Sequence, residues 1–144
     1  MNQRFSEPLR ILLVDDCADV CASLAMLVRM WGYDVRTVGD GFAGLKVAEE
    51  YLPHVILLDV GLPSIDGYEV ARRLRAQSSL EPQPRIITIS GNGLEEDFRR
   101  SRAVGCDRHL VKPVDLMDLR LMLAQYAELA RRQFCPSRAR SAAE

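Results

Sequence analysis

The run His54 to Asp59, HVILLD, constrains this chain more than any other stretch. Four consecutive large apolar residues, Val55 to Leu58, leave no polar face, so a strand built from them has to be covered on both sides. The run then drives straight into a carboxylate, Asp59, with Gly61 and Pro63 following within four positions. A charge at the end of the most buried strand either marks the surface or is being delivered to a shared site.

The rest of the chain alternates in the same style. LRILLV, Leu9 to Val14, is a short apolar run stopped by Asp15 and Asp16. From Val20 onward, Leu24, Leu27, Val28 and Trp31 recur at helical spacing until Gly32, and YDVRTV, Tyr33 to Val38, alternates as a strand does. Asp40 is an N-cap for a second helix to about Tyr51, since its carboxylate can accept a free first-turn amide. Asp66 caps a third helix with Val70, Ala71 and Leu74 on one side. Ser78 to Pro84 reads as a surface loop, and RIITIS, Arg85 to Ser90, as a fourth strand. A short helix holding Leu94, Phe98 and Ala103 follows, then a brief strand, HLV, starting at or after Cys106 and ended by Lys112 and Pro113. Asp115 starts a last helix with Leu116, Leu119, Leu123 and Tyr126 inward. Five strands separated by four helices, with a fifth helix at the end, predict an α/β fold: a doubly wound five-stranded parallel sheet in a flavodoxin-like three-layer sandwich. The expected organisation is one domain over 9–130, a flexible N-terminus over 1–8 and a disordered tail over 131–144.

Bulk properties exclude several classes. A chain of 144 residues is long enough for one domain with a real core. A formal charge of -1 offers no general attraction to nucleic acid or to a membrane. The opening MNQRFSEPLR lacks the apolar stretch of a secretory signal, and no run approaches the roughly 18 apolar residues of a spanning helix. Cys17, Cys21, Cys106 and Cys135 show no paired metal-ligand spacing, which points to reduced thiols in a cytoplasmic protein.

Ligands of doubly wound folds gather outside the carboxyl ends of the strands. Asp15, Asp16, Asp59, Ser90 and Lys112 all fall at or just past such an end. Any one of them alone is an ordinary solvated loop position; five on the correct edge of one sheet form a candidate site. Converging carboxylates repel and raise one another's pKa unless a cation intervenes, and Mg²⁺ with its preference for oxygen ligands suits them. Lys112 adds a compact positive charge and Ser90 a hydroxyl donor beside Gly91. An aspartate, a metal, a lysine and a serine are the parts for phosphoryl transfer to a carboxylate.

The segments ILLVDD, VILLDVGLPSIDGYEVARRLR, IITISG and GCDRHLVKP, in this order and spacing, resemble the receiver domain of two-component response regulators, the CheY-like fold, from about Leu9 to Leu129. The resemblance implies that Asp59 is the phospho-acceptor, served by a histidine kinase or phosphotransfer protein. It implies that Asp16 binds magnesium directly, that Asp15 reaches it through water, and that Gly61 offers a backbone carbonyl. Lys112 would contact the phosphoryl group, Ser90 would be the switch hydroxyl, and the bond before Pro113 is typically cis. A downstream protein would be recognised on the face formed by the fourth helix, fifth strand and fifth helix, where a homodimer is also open.

Two positions depart from the family pattern. His109 stands where a switch Tyr or Phe is usual, so either the switch persists with a smaller, ionisable ring or His109 lies exposed at a strand edge. Cys17 replaces a polar residue beside the acidic pair, and with Cys21 one turn later it is a candidate redox handle; small buried cysteines are the plainer explanation. Only about a dozen residues follow the last helix, so no DNA-binding output domain is expected on this chain. A receiver excised from a hybrid kinase, and a binding module that works without phosphorylation, are the alternatives. A magnesium-dependent phosphatase would need a second acid two residues past Asp59, where Gly61 stands, and flavodoxin-like phosphate binding would not place two aspartates after the first strand.

Overall fold

The computed structural model describes residues 7–77 and 79–133. In chain order they form β1 (Arg10–Val14), α1 (Ala18–Met30), β2 (Asp34–Val38), α2 (Gly41–Tyr51), β3 (Val55–Asp59), α3 (Gly67–Ala76), β4 (Arg85–Ser90), α4 (Glu95–Ala103), β5 (Arg108–Val111) and α5 (Leu116–Gln133). The sheet has the order β2-β1-β3-β4-β5, and every neighbouring pair is parallel. This is the doubly wound, five-stranded architecture that the alternation predicts. The expected flexibility of the N-terminus concerns residues that, up to 6, lie outside the described ones, as do 134–144 of the expected tail; α5 itself runs on to Gln133.

The double-sided burial of the central strands is visible residue by residue. Ile11, Leu13, Val55 and Leu57 pack on one face with Ala25 and Val28 of α1 and Leu119, Met122 and Leu123 of α5. Leu12, Val14, Ile56 and Leu58 pack on the other with Ala48 of α2 and Val70, Ala71 and Leu74 of α3. Successive strand residues point to opposite faces, so an unbroken apolar run is what filling two layers requires. Three of the five helices, α2, α3 and α5, start where the sequence supplies an acceptor: Asp40 accepts from the Ala43 amide at 2.8 Å, Asp66 from Glu69 at 2.9 Å and Asp115 from Met117 at 2.9 Å.

The structure corrects one core assignment. Leu116, expected inward, is 48 % exposed, because the buried stripe of α5 is Leu119, Met122 and Leu123. In α4, Leu94 is the exposed N-cap and Ala103 is exposed; the buried residue is Ser101. The inward contact of this helix is polar.

Gly67 locks the first turn of α3 against the end of β3. Its amide donates to the Val60 carbonyl at 2.9 Å, and a Cβ there would meet the Asp59 carbonyl oxygen at 2.5 Å and the Val60 Cα at 2.8 Å. Both neighbours are backbone and cannot swing aside. Gly67→Ala is therefore expected to lower stability by about 1–3 kcal/mol through overpacking, read from urea unfolding followed by circular dichroism.

Candidate functional site

The strand order reverses between β1 and β3, and the carboxyl ends of those two strands carry Asp15 and Asp59. Asp15 extends the sheet by donating its amide to the Val38 carbonyl, while its carboxylate accepts from the Cys17 amide at 2.9 Å. It is 5 % exposed and Asp59 7 %, whereas Asp16 turns to solvent. One carboxylate oxygen from each of Asp15, Asp16 and Asp59 falls within 4.8 Å of the others. Lys112, just past β5, reaches into this group from the opposite side, with Nζ 3.3 Å from Asp59 Oδ1 and 3.6 Å from Asp15 Oδ2. Its backbone is tied to the neighbouring strand by a 2.8 Å bond from its amide to the Ser90 carbonyl, and the Lys112–Pro113 peptide is cis.

Burial, and then the adjacent Asp15, push the Asp59 carboxyl above its ordinary range; Lys112 and the Gly61 amide, which donates to the carboxylate, pull the other way without winning. Burial works against the Lys112 ammonium, but Asp59 and Asp15 together outweigh it and hold its pKa above the usual lysine value. Three carboxylates set against one ammonium leave an uncompensated negative pocket of hard oxygen donors. That donor set fits a divalent cation such as Mg²⁺, which Asp15, Asp16 and Asp59 would hold.

Ser90 ends β4, 6 % exposed, with its hydroxyl donating to the Asn92 carbonyl at 2.7 Å. His109 lies on β5 opposite Thr88 in the β4–β5 register. Its ring is turned inward and half-buried rather than lying exposed at the strand edge: Nε2 is 3.0 Å from Ser90 Oγ and Nδ1 is 2.7 Å from Thr88 Oγ1. Thr88 Oγ1 in turn lies 2.7 Å from Ser101 Oγ of α4. Thr88 and Ser101 were not among the expected site residues. A signal was present, because two hydroxyl residues two apart in a strand share a face, and Ser101 is the one small polar residue in an arginine-rich helix.

The two cysteines beside the pocket differ: Cys17 is exposed, contrary to the buried-cysteine expectation, whereas Cys21 is set against redox chemistry. Cys21 is buried, its thiol donates to the Asp15 carbonyl at 3.2 Å, and burial followed by the negative charge of Asp15 raises its pKa, which suppresses the thiolate. A cavity of about 450 Å³ lies at the opposite end of the strands, lined in part by Arg10, His54, Arg75 and Asp107, and holds the 2.9 Å Arg75–Asp107 pair.

Comparison with known proteins decides the family. The family model for the response regulator receiver domain matches residues 11–124. The chain belongs to the response regulator receiver domain family. It is 36 % identical over 124 residues to the transcriptional regulatory protein PrrA of Mycobacterium tuberculosis, covering 86 % of this chain and 51 % of that one. It is 31 % identical over 114 residues to Protein PilG of Pseudomonas aeruginosa, covering 79 % of this chain and 84 % of that one. The chain thus spans about half the length of PrrA and most of PilG. Among solved structures, it resembles the receiver domain of sensor histidine kinase PA1611 from Pseudomonas aeruginosa, which has a magnesium ion coordinated in its active site cleft. That likeness has a TM-score of 0.75 at 30 % identity and covers 84 % of this chain and 98 % of that one. Among the described residues of this receiver, no helix is long and apolar enough to cross a membrane.

The raised pKa of Asp59 has a consequence for stability. The folded state holds this proton more tightly than the unfolded chain, so its contribution is fully present below the ordinary value of 3.8 and is lost as pH rises through the folded value. Above the folded value the ionised, crowded Asp59 is a net cost. In metal-free buffer Asp59→Asn is expected to raise the thermal midpoint, and millimolar Mg²⁺ to stabilise the native chain much more than the variant, both read by calorimetry.

Proposed function

We propose that this receiver accepts a phosphoryl group on Asp59 from a histidine kinase or phosphotransfer protein and signals through altered affinity for a partner protein. The observation that carries this reading is the seat of Asp59: buried at the switch point of the sheet, 3.3 Å from Lys112 Nζ and within 4.8 Å of two further carboxylates. An Asp59 oxygen attacks phosphorus, the bond from phosphorus to the donor's imidazole nitrogen breaks, and the imidazole leaves with that electron pair. Lys112 pairs with the charge on the incoming phosphoryl oxygens. Mg²⁺, held by Asp15, Asp16, Asp59 and the Gly61 carbonyl, supplies charge neutralisation when bound.

Ser90 is the residue placed to respond. Its hydroxyl, spent on the Asn92 carbonyl in this state, transfers to a phosphoryl oxygen, and His109, bonded to the same hydroxyl, follows as the switch residue. The affected face, α4, β5 and α5, exposes Leu94, Leu116, Met117 and Leu121, a surface suited to a protein partner. A cytoplasmic location accords with the chemistry, since phosphohistidine donors draw on ATP.

Intact mass after incubation with acetyl phosphate tests the reading. A magnesium-dependent gain of one phosphoryl group in the native chain and no gain in Asp59→Asn are expected. Absence of both this gain and magnesium-dependent binding of beryllofluoride would overturn it. Lys112→Ala is expected to reduce the rate of gain by at least about tenfold, the scale of losing one charge-assisted contact of roughly 1.5–3 kcal/mol.

A further inference from the structure

The hydrogen bonds around His109 have only one consistent polarity when the imidazole is neutral. Ser90 has a single hydroxyl hydrogen, and it is committed to the Asn92 carbonyl at 2.7 Å. Ser90 Oγ must therefore accept from His109 at 3.0 Å, which puts the ring hydrogen on Nε2. Nδ1 is then bare and accepts the Thr88 hydroxyl at 2.7 Å. With its hydrogen used, Thr88 accepts from Ser101 at 2.7 Å. The tautomer follows from this network, and the chain of donors runs from α4 to the mouth of the acidic pocket.

A proton added at Nδ1 reverses one arm of this chain. Thr88 becomes an acceptor from the ring, and its own hydrogen has to turn to Ser101 or to the Arg108 carbonyl, a poor acceptor 3.4 Å away. Ser101 is 2 % exposed, so its hydroxyl reorients inside the packed interior under α4. The groups facing His109 from the surrounding elements fall into opposing sets. From α4 come the Phe98 ring, edge-on at 4.8 Å, and the Asp97 carboxylate, which favours the imidazolium. Asp97 is itself bonded at 3.2 Å by the Tyr68 hydroxyl of α3, beneath the Arg100 guanidinium, and its Oδ2 is buried without a hydrogen-bond partner. From β4 come only the two hydroxyls. On the ring's own segment, Arg108 presents its carbonyl to Thr88, and Lys112 is engaged with Asp15 and Asp59. The Cys106 thiol sits against Ser101 and Thr88 and is held protonated by burial. Burial dominates and lowers the pKa of His109 below 6.5, with Asp97 opposing it.

We propose that His109 is a two-armed hydrogen-bond coupler, positioned by Thr88 and Ser101, that reports the orientation of the Ser90 hydroxyl to α4 and is reset by a single proton. Its functional meaning rests on the phosphoryl-acceptor reading; the coupler itself is a property of the unphosphorylated chain. The inward, neutral ring is favoured above the ordinary imidazole value of 6.5 and loses that preference as pH falls from 6.5 toward the lower folded value. A phenol or phenyl ring at this position has no counterpart to the second arm.

Long-range proton–nitrogen spectra of the ¹⁵N-labelled full chain, metal-free from pH 5 to 8, test the coupler directly. The expected result is a His109 ring fixed with its hydrogen on Nε2, a midpoint below 6.5, and a Ser101 amide shift that follows the same midpoint. Thr88→Val is expected to raise the midpoint by about half a unit to one unit, the worth of one hydrogen bond to the neutral ring, and to uncouple Ser101. Thr88→Ser is expected to restore both. A ring hydrogen on Nδ1, tautomers in averaged exchange, or a Ser101 amide indifferent to His109 in the native chain would each overturn the proposal, whether or not the variants fold. Repeating the titration with Mg²⁺ and beryllofluoride separates the two readings. An unmoved Ser90 would sink the phosphoryl reading while leaving a demonstrated coupler in place.

Discussion

Asp15 and Asp59 are buried side by side on neighbouring strands, with Lys112 reaching in between them and Asp16 at the rim. This electrostatic arrangement sets the terms for the whole carboxyl edge of the sheet. Crowded carboxylates in a half-dry pocket cost stability, and one ammonium does not neutralise three of them. The site is consequently strained: a divalent cation would lower its energy, and under the proposed function a phosphoryl group would enter a place already arranged with shared oxygens and positive charge.

The fold holds these charges together because the scaffold behind them cannot give. β1 and β3 are filled on both faces by Ile, Leu and Val side chains with essentially no exposure, so the strand ends are fixed by two cores at once. Gly67 closes the back of the Asp59 turn with backbone against backbone, and the Lys112 amide is pinned to the Ser90 carbonyl. Asp59 cannot back away from Asp15 without opening a packed layer. Stability is drawn from the apolar interior and spent at the rim, the usual division between scaffold and site in folds of this architecture.

Much of this was legible in the sequence, for physical reasons that can be named. A strand with four apolar residues in a row reports double-sided burial directly, and Asp40, Asp66 and Asp115 mark helix starts because a free amide needs an acceptor. Placing acids and a lysine at strand ends then followed from topology. The reading failed where a helix has more apolar residues than it buries, and was silent where the inward contact is polar. α4 contributes only Ser101 to the interior, and Leu116 of α5 stands in solvent although it fits the spacing. Hydroxyl partnerships such as Ser101 with Thr88 join residues thirteen apart and leave no periodic trace, so they emerge only when strand and helix are docked.

His109 shows how one substitution can change the kind of information a position carries. A phenol places its only polar atom at the far end of a long ring, so it can report one environment at a time by moving between them. An imidazole is shorter and carries two polar atoms on different edges, so in this structure it meets Ser90 and Thr88 simultaneously without moving. Information then passes by the direction of hydrogen bonds rather than by displacement of a side chain. Such a device has less mechanical reach but acquires a second input, because the bare Nδ1 that receives the Thr88 bond can also take a proton, with burial holding that step below the ordinary value of 6.5. The buried, unpartnered Asp97 oxygen on the neighbouring helix fits that second input: it offers the charged ring a favourable field without being consumed by the neutral one.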